Sequence, residues 1–176
     1  MDMIQWLSSI RVMLDKLKDL DFGYPIGENI IYPPGNQTLV KDISTKLGEQ
    51  IPTSIVEFYA HCNGISLPDV HNGYFIHSVD LILRGIERGE PVKVSGIESY
   101  PVVVFGSDGG GGRFVTRLGN SEEVLYLPIG AVRNSTFDGK ATPVKSLSLH
   151  FEGFLMRLLT DVEAYIQNNP RHQYMA

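Results

Sequence analysis

Two long amphipathic stripes bracket this sequence and set what can lie between them. Near the start, Met3, Trp6, Leu7, Ile10, Met13, Leu14, Leu17 and Leu20 recur at helical spacing. Arg11, Asp15, Lys18 and Asp19 fall on the other side, and Asp2 is placed to cap the helix start. Near the end, Phe151, Phe154, Leu155, Leu158, Leu159, Val162 and Ile166 form a second stripe, closed by Asn168-Asn169-Pro170. Gly153 inside that stripe costs about 1 kcal/mol relative to alanine, which points to a close backbone contact there. One-sided helices of this kind must bury their apolar face against another layer.

Two further helices are expected. One runs from about Thr38, with Leu39, Ile43 and Leu47 stacked and Gly48 as the stop. The next starts near Pro52, carries Ile55, Phe58, Tyr59 and Cys62 on one face, and ends at Asn63-Gly64. The segment from Asp21 to Gly35 is rich in glycine and proline and reads as an extended connection anchored by Ile30 to Tyr32.

The middle changes period. Tyr74 to His77, Tyr100 to Phe105, Phe114 to Leu118 and Val124 to Leu127 read as strands, with a turn at Gly119-Asn120-Ser121 and a short helix over Val79 to Arg88. Helices, then an antiparallel meander, then a helix make an α+β fold. One domain over 1–176 is expected: helix and linker over 1–37, a core over 38–167 and a tail over 168–176. Phe58, Phe105, Phe154 and Leu158 should meet in its core.

Composition narrows the function. Acidic residues outnumber basic ones 20 to 15, for a net charge of -5. That disfavours a nucleic-acid binder, which needs clustered cations, and suits a basic protein partner. No apolar run approaches the roughly 20 residues of a membrane span. A single cysteine, Cys62, allows no internal disulfide and no cysteine-based zinc cage. The start, Met-Asp-Met-Ile-Gln-Trp, shows no secretory pattern, so a cytoplasmic location is expected and the sequons at Asn36 and Asn134 should go unused.

The most conspicuous local feature is Phe105-Gly106-Ser107-Asp108-Gly109-Gly110-Gly111-Gly112-Arg113-Phe114. Gly106 and Gly111 have phosphate-loop spacing, but Gly112 and Arg113 stand where lysine and serine or threonine belong, and a strand follows instead of a helix. A β-hairpin connection is the better reading. His61, His71, His77, His150 and His172 form no HExxH pair. Asp69, His71 and His77 would make a metal site only if their loop folded back. Adjacent helical residues His61 and Cys62 point about 100° apart, so they make no dyad. Catalytic residues, metal and cofactor are therefore not expected.

Between Lys46 and Arg84 there is no lysine or arginine, while Glu49, Glu57, Asp69 and Asp80 lie there with three histidines. The plain reading is a solvated surface; the sharper one is an acidic docking surface for a basic partner. On that second reading Glu57, Asp69, His71, Asn72, Tyr74 and Asp80 are the candidate partner-binding residues, with Tyr74 as an aromatic anchor and Asp108 in the next acidic loop.

Three motifs together resemble a known family. They are Ile51-Pro52 leading a helix into Asn63-Gly64, then Phe105-Gly106-Ser107-Asp108-Gly109-Gly110-Gly111, then Phe151-Glu152-Gly153-Phe154-Leu155. In this order over about 38–167 they resemble the Smi/Knr cell-wall-assembly-regulator family of the SUKH superfamily. That resemblance implies helices packed on an antiparallel sheet and a non-enzymatic binding role. It would be that of an immunity protein neutralising a polymorphic toxin or, alternatively, of an intracellular scaffold or regulator. A small-molecule sensor is a further alternative.

Overall fold

The structure is a computed structural model that describes residues 1–35, 38, 41, 43, 45, 46, 51–119 and 121–175. Helix α1 (Met3–Lys18) is capped as expected: Asp2 Oδ1 accepts from the N–H groups of Ile4 (2.9 Å) and Gln5 (3.2 Å). Strand β1 (Ile30–Ile31) follows the linker. Of the helix expected from Thr38, the described residues Thr38, Lys41, Ile43, Thr45 and Lys46 are helical. Leu39, Leu47, Gly48 and Glu49 lie outside the described residues, as do Asn36, Gln37 and Asn120.

Helix α2 (Thr53–His61) has Pro52 as its N-cap, one position earlier than the expected first turn. It stops where Cys62 turns extended and Gly64 takes a φ of +106°. A Cβ on Gly64 would lie 2.6 Å from the Ile76 carbonyl oxygen, so this position excludes side chains twice over. Strands β2 (Ile65–Leu67) and β3 (Tyr74–Ile76) lead into α3 (Val79–Glu87), capped by the Ser78 hydroxyl. Strands β4 (Lys93–Ser95), β5 (Tyr100–Asp108), β6 (Arg113–Arg117) and β7 (Val124–Leu127) follow. Then come β8 (Val132–Arg133), β9 (Thr136–Asp138), β10 (Lys145–Ser148) and α4 (Phe151–Ile166).

The architecture is α+β, with helices packed on a ten-stranded sheet. Strand β5 is its hub. One edge of β5 pairs with β6, while the other pairs with β4 near Tyr100 and with β3 near Asp108. From there β2 and β1 extend one flank, and β7 and β10 the other. Pairing is antiparallel with one exception that the meander reading did not anticipate: β4 and β9 run parallel.

Strand β5 is buried on both faces, which explains its unbroken Val102-Val103-Val104-Phe105 run. One face packs against α1, α2 and α4. There Phe58, Phe105, Phe154 and Leu158 are all buried, as expected. Phe105 meets Phe154 at 5.2 Å between ring centroids, and Phe151 bridges Phe105 (5.3 Å) to Phe58 (5.5 Å). Edge-to-face packing of this kind adds about 0.5–1.5 kcal/mol per pair beyond area burial. The opposite face holds a smaller core of Val94, Val102, Val104, Val115, Leu125, Leu127 and Phe137.

The α1 stripe packs inside the domain, and the Trp6 indole N–H donates to the Leu155 carbonyl of α4 at 3.0 Å. Gly153 is tight for a different reason than expected. A side chain there would run into the Ser148 hydroxyl at the end of β10, not into backbone.

Candidate functional site

Three carboxylates, Asp69, Asp108 and Asp161, are buried at one end of the sheet. A buried carboxylate is costly unless hydrogen bonds replace its water. Each of these is so bonded, and each ties a loop down.

Asp69, just after β2, accepts from the Gly27 N–H through both oxygens (3.1 and 2.9 Å) and from Asn29 Nδ2 at 2.6 Å. It thereby straps the linker against the β2–β3 connection. Asp108 ends β5 and organises the glycine hairpin. Its Oδ1 accepts from the N–H groups of Gly110 (3.0 Å) and Gly112 (2.7 Å). Its Oδ2 accepts from the Tyr126 hydroxyl (2.7 Å) and, at 3.5 Å, from Asn72 Nδ2. Burial, and then the bond to Asp108, push the Tyr126 phenol well above its ordinary range, so it stays a donor. A side chain at Gly112 would occupy the space of the Tyr126 ring, so only glycine lets the hairpin close. The Gly109 N–H adds a 2.8 Å bond to the Asn72 carbonyl, which locks hairpin and β2–β3 connection together.

Asp161 anchors the C-terminal tail. Its Oδ2 accepts from the Tyr74 hydroxyl (2.6 Å) and the Met175 N–H (3.0 Å), and His172 Nε2 lies 2.7 Å from Oδ1. The tail then places Tyr174 against His71, with ring centroids 4.2 Å apart and planes 15° apart.

Five of the seven candidate residues read from the sequence are therefore neighbours: Asp69, His71, Asn72, Tyr74 and Asp108. Three of them do not stand at the surface. Asp69 and Asp108 are turned inward by the backbone N–H groups they serve. Tyr74 is buried because its ring packs against Phe114 and its hydroxyl meets Asp161, so it is no exposed anchor. His71 and Asn72 are exposed.

Glu57 and Asp80 are also exposed, Glu57 because it lies off the buried face of α2. They are not part of this cluster. Asp80 begins α3, beyond the far end of β3 from Asn72, and the α2 C-terminus lies on that side too, where Asn63 Oδ1 accepts from the Val79 N–H. The acidic stretch does not form one surface.

Sequence reasoning marked the tail without giving it a role, and passed over Asp161 and Ile129, which is 73% exposed beside Gly111. A signal for Asp161 existed: it sits three residues after Leu158 and seven after Phe154, on the apolar stripe, where an acid demands a partner.

Elsewhere the chemistry is quiet. Burial pushes the Cys62 thiol up to about 12, which withholds the thiolate. Burial lowers His77 from its ordinary value, and its Nε2 lies 3.0 Å from Ser107 Oγ. Among the described residues no group of three His, Cys, Asp or Glu side chains is placed to hold a metal ion. Asp69, His71 and His77 have separate partners. No helix among the described residues is long and apolar enough to cross a membrane. The chain matches no protein-family model and no curated protein.

Proposed function

We propose that this chain is a non-enzymatic protein-binding domain of the SUKH type, acting as a cytoplasmic immunity protein that neutralises a cognate toxin. The observation that carries the reading is the clamped loop end. His71, Asn72, Gly109, Gly110, Gly111 and Ile129 stand exposed on backbone whose shape is held by buried, hydrogen-bonded carboxylates. A loop ordered before binding spares the complex the cost of ordering its backbone, about 1–2 kcal/mol for each residue that would otherwise be free. Asp108 consumes the amides a phosphate would need, which favours a protein ligand over a nucleotide.

Two of the resembling motifs have structural duties away from this end, where Pro52 is the N-cap of α2, Gly64 ends it, and Phe151 and Phe154 fill the core, while the third, Phe105 to Gly111, builds the clamped hairpin itself. The net charge of -5 suits a basic partner, whose approach it would steer.

The test is co-expression with the product of the adjacent gene. A stable complex on size-exclusion chromatography, with rescue of growth when that product is toxic, supports the reading. Full toxicity in the presence of the folded chain, with no complex, counts against it.

A further inference from the structure

Beside the clamped loop end, the turn after α1, the end of α4 and the tail enclose an open cavity of about 540 Å³. Its walls include Phe22, Tyr165 and Tyr174, with His71, His172 and Asp21. Phe22 and Tyr165 present nearly parallel rings, 18° apart with centroids 6.2 Å from one another, and Tyr174 meets Tyr165 edge-on at 6.5 Å. All three rings are only partly buried; Tyr24 also packs on Phe22, with centroids 5.5 Å apart, so it is the remaining exposed ring surface that a cation would meet.

The charge lining the cavity has one sign. Among the described residues no lysine or arginine lines it, and Asp21 does. Asp21 Oδ1 accepts from the Gly23 N–H at 2.9 Å, which fixes the carboxylate. Its Oδ2 has no hydrogen-bond partner among the described residues. Aromatic faces attract cations through the negative face of the ring, and a carboxylate at the rim adds a directed acceptor.

We propose that this cavity receives an arginine side chain of a protein partner. The planar guanidinium would lie against the Phe22 and Tyr165 rings while its N–H groups reach Asp21. Arginine fits better than lysine because it is planar, weakly hydrated and forked, whereas an ammonium gives up its water at greater cost and cannot stack. His71 and His172 close the side of the cavity nearest Tyr174, where His172 is held by Asp161. The inference deepens the proposed function by naming the kind of residue a basic partner would insert. It involves no toxin, so the two can fail separately.

The test is an aromatic-resonance NMR titration of the full chain with N-acetyl-arginine amide, and in parallel with the neutral isostere N-acetyl-citrulline amide and with N-acetyl-lysine amide. The inference predicts saturable shifts of the Phe22 and Tyr165 ring signals at millimolar arginine. Citrulline and lysine should bind at least about fivefold more weakly. Asp21→Asn, at an exposed site where the fold should be indifferent, should weaken arginine at least about threefold. Absence of saturation, an equal response to citrulline or lysine, or unchanged affinity in Asp21→Asn would each overturn it. Arginine uptake by a chain that neutralises no toxin would keep this site and retire the immunity reading.

Discussion

Replacing Asp108 by alanine is the most informative single perturbation, because one side chain holds the hairpin, the β2–β3 connection and Tyr126 together. Four donors point at it, and they do not count equally. The Gly112 N–H is buried and makes a 2.7 Å bond, so its loss should cost about 1.5–3 kcal/mol, the range for a charged acceptor. The Tyr126 hydroxyl is half-buried at 2.7 Å and should add about 1 kcal/mol. Gly110 and Asn72 can recover water and contribute a few tenths each. Relief of the carboxylate's own desolvation offsets part of this. The net expectation is a loss of about 2–4 kcal/mol. For a chain of this size that corresponds to a drop in Tm of roughly 4–16 °C, at about 2–4 °C per kcal/mol.

Asp108→Asn keeps an acceptor for the two glycine amides and should lose only about 1 kcal/mol. Urea unfolding gives the energies, and amide hydrogen exchange at Gly110 and Gly112 shows whether the loss is local. An Asp108→Ala protein within 0.5 kcal/mol of the parent, with unchanged exchange at those amides, would refute the clamp.

Other expectations follow from the same contacts. Phe154→Ala empties a site lined by Phe105, Phe114 and Phe151 and should cost about 3–5 kcal/mol in urea unfolding. Gly64→Ala should destabilise by more than about 1 kcal/mol, since both φ and the Ile76 carbonyl oppose a side chain. Because the Cys62 pKa is raised to about 12 in the fold, the folded state holds a proton that the unfolded thiol releases near 9. The cysteine's contribution to stability is therefore intact below about pH 8.5 and should fall as pH rises from there toward 12, by up to about 1.4 kcal/mol per unit. Cys62→Ala should flatten that part of the profile.

The two apolar stripes were legible because α1 and α4 are long and packed on one side only, so the period repeats several times. Strand β5 was legible through its opposite property, burial on both faces. Strands of two or three residues, such as β1, β2, β4, β8 and β9, complete no period, and their pairing is decided by partners far away in sequence. The parallel β4–β9 contact is of that kind. Exposure was harder to read than structure. Glu57 followed from helical phase, but Asp69 and Asp108 turned inward because glycine and asparagine donors converge on them, and convergence is a tertiary fact. Tyr74 carried no mark of burial until Asp161, 87 residues away, supplied its acceptor.

Where a partner docks is the central claim, and paired variants measured for affinity toward the co-purified partner test it most directly. Asn72→Arg with Ile129→Glu alters the clamped loop end; Glu57→Lys with Asp80→Lys reverses charge at exposed positions outside that cluster. If the loop end is the docking surface, the first pair should weaken binding by about a hundredfold or more, as loss of central interface residues does. The second should change it by no more than about threefold, mainly through the association rate. Unchanged affinity in the first pair, or a collapse confined to the second, would contradict the account.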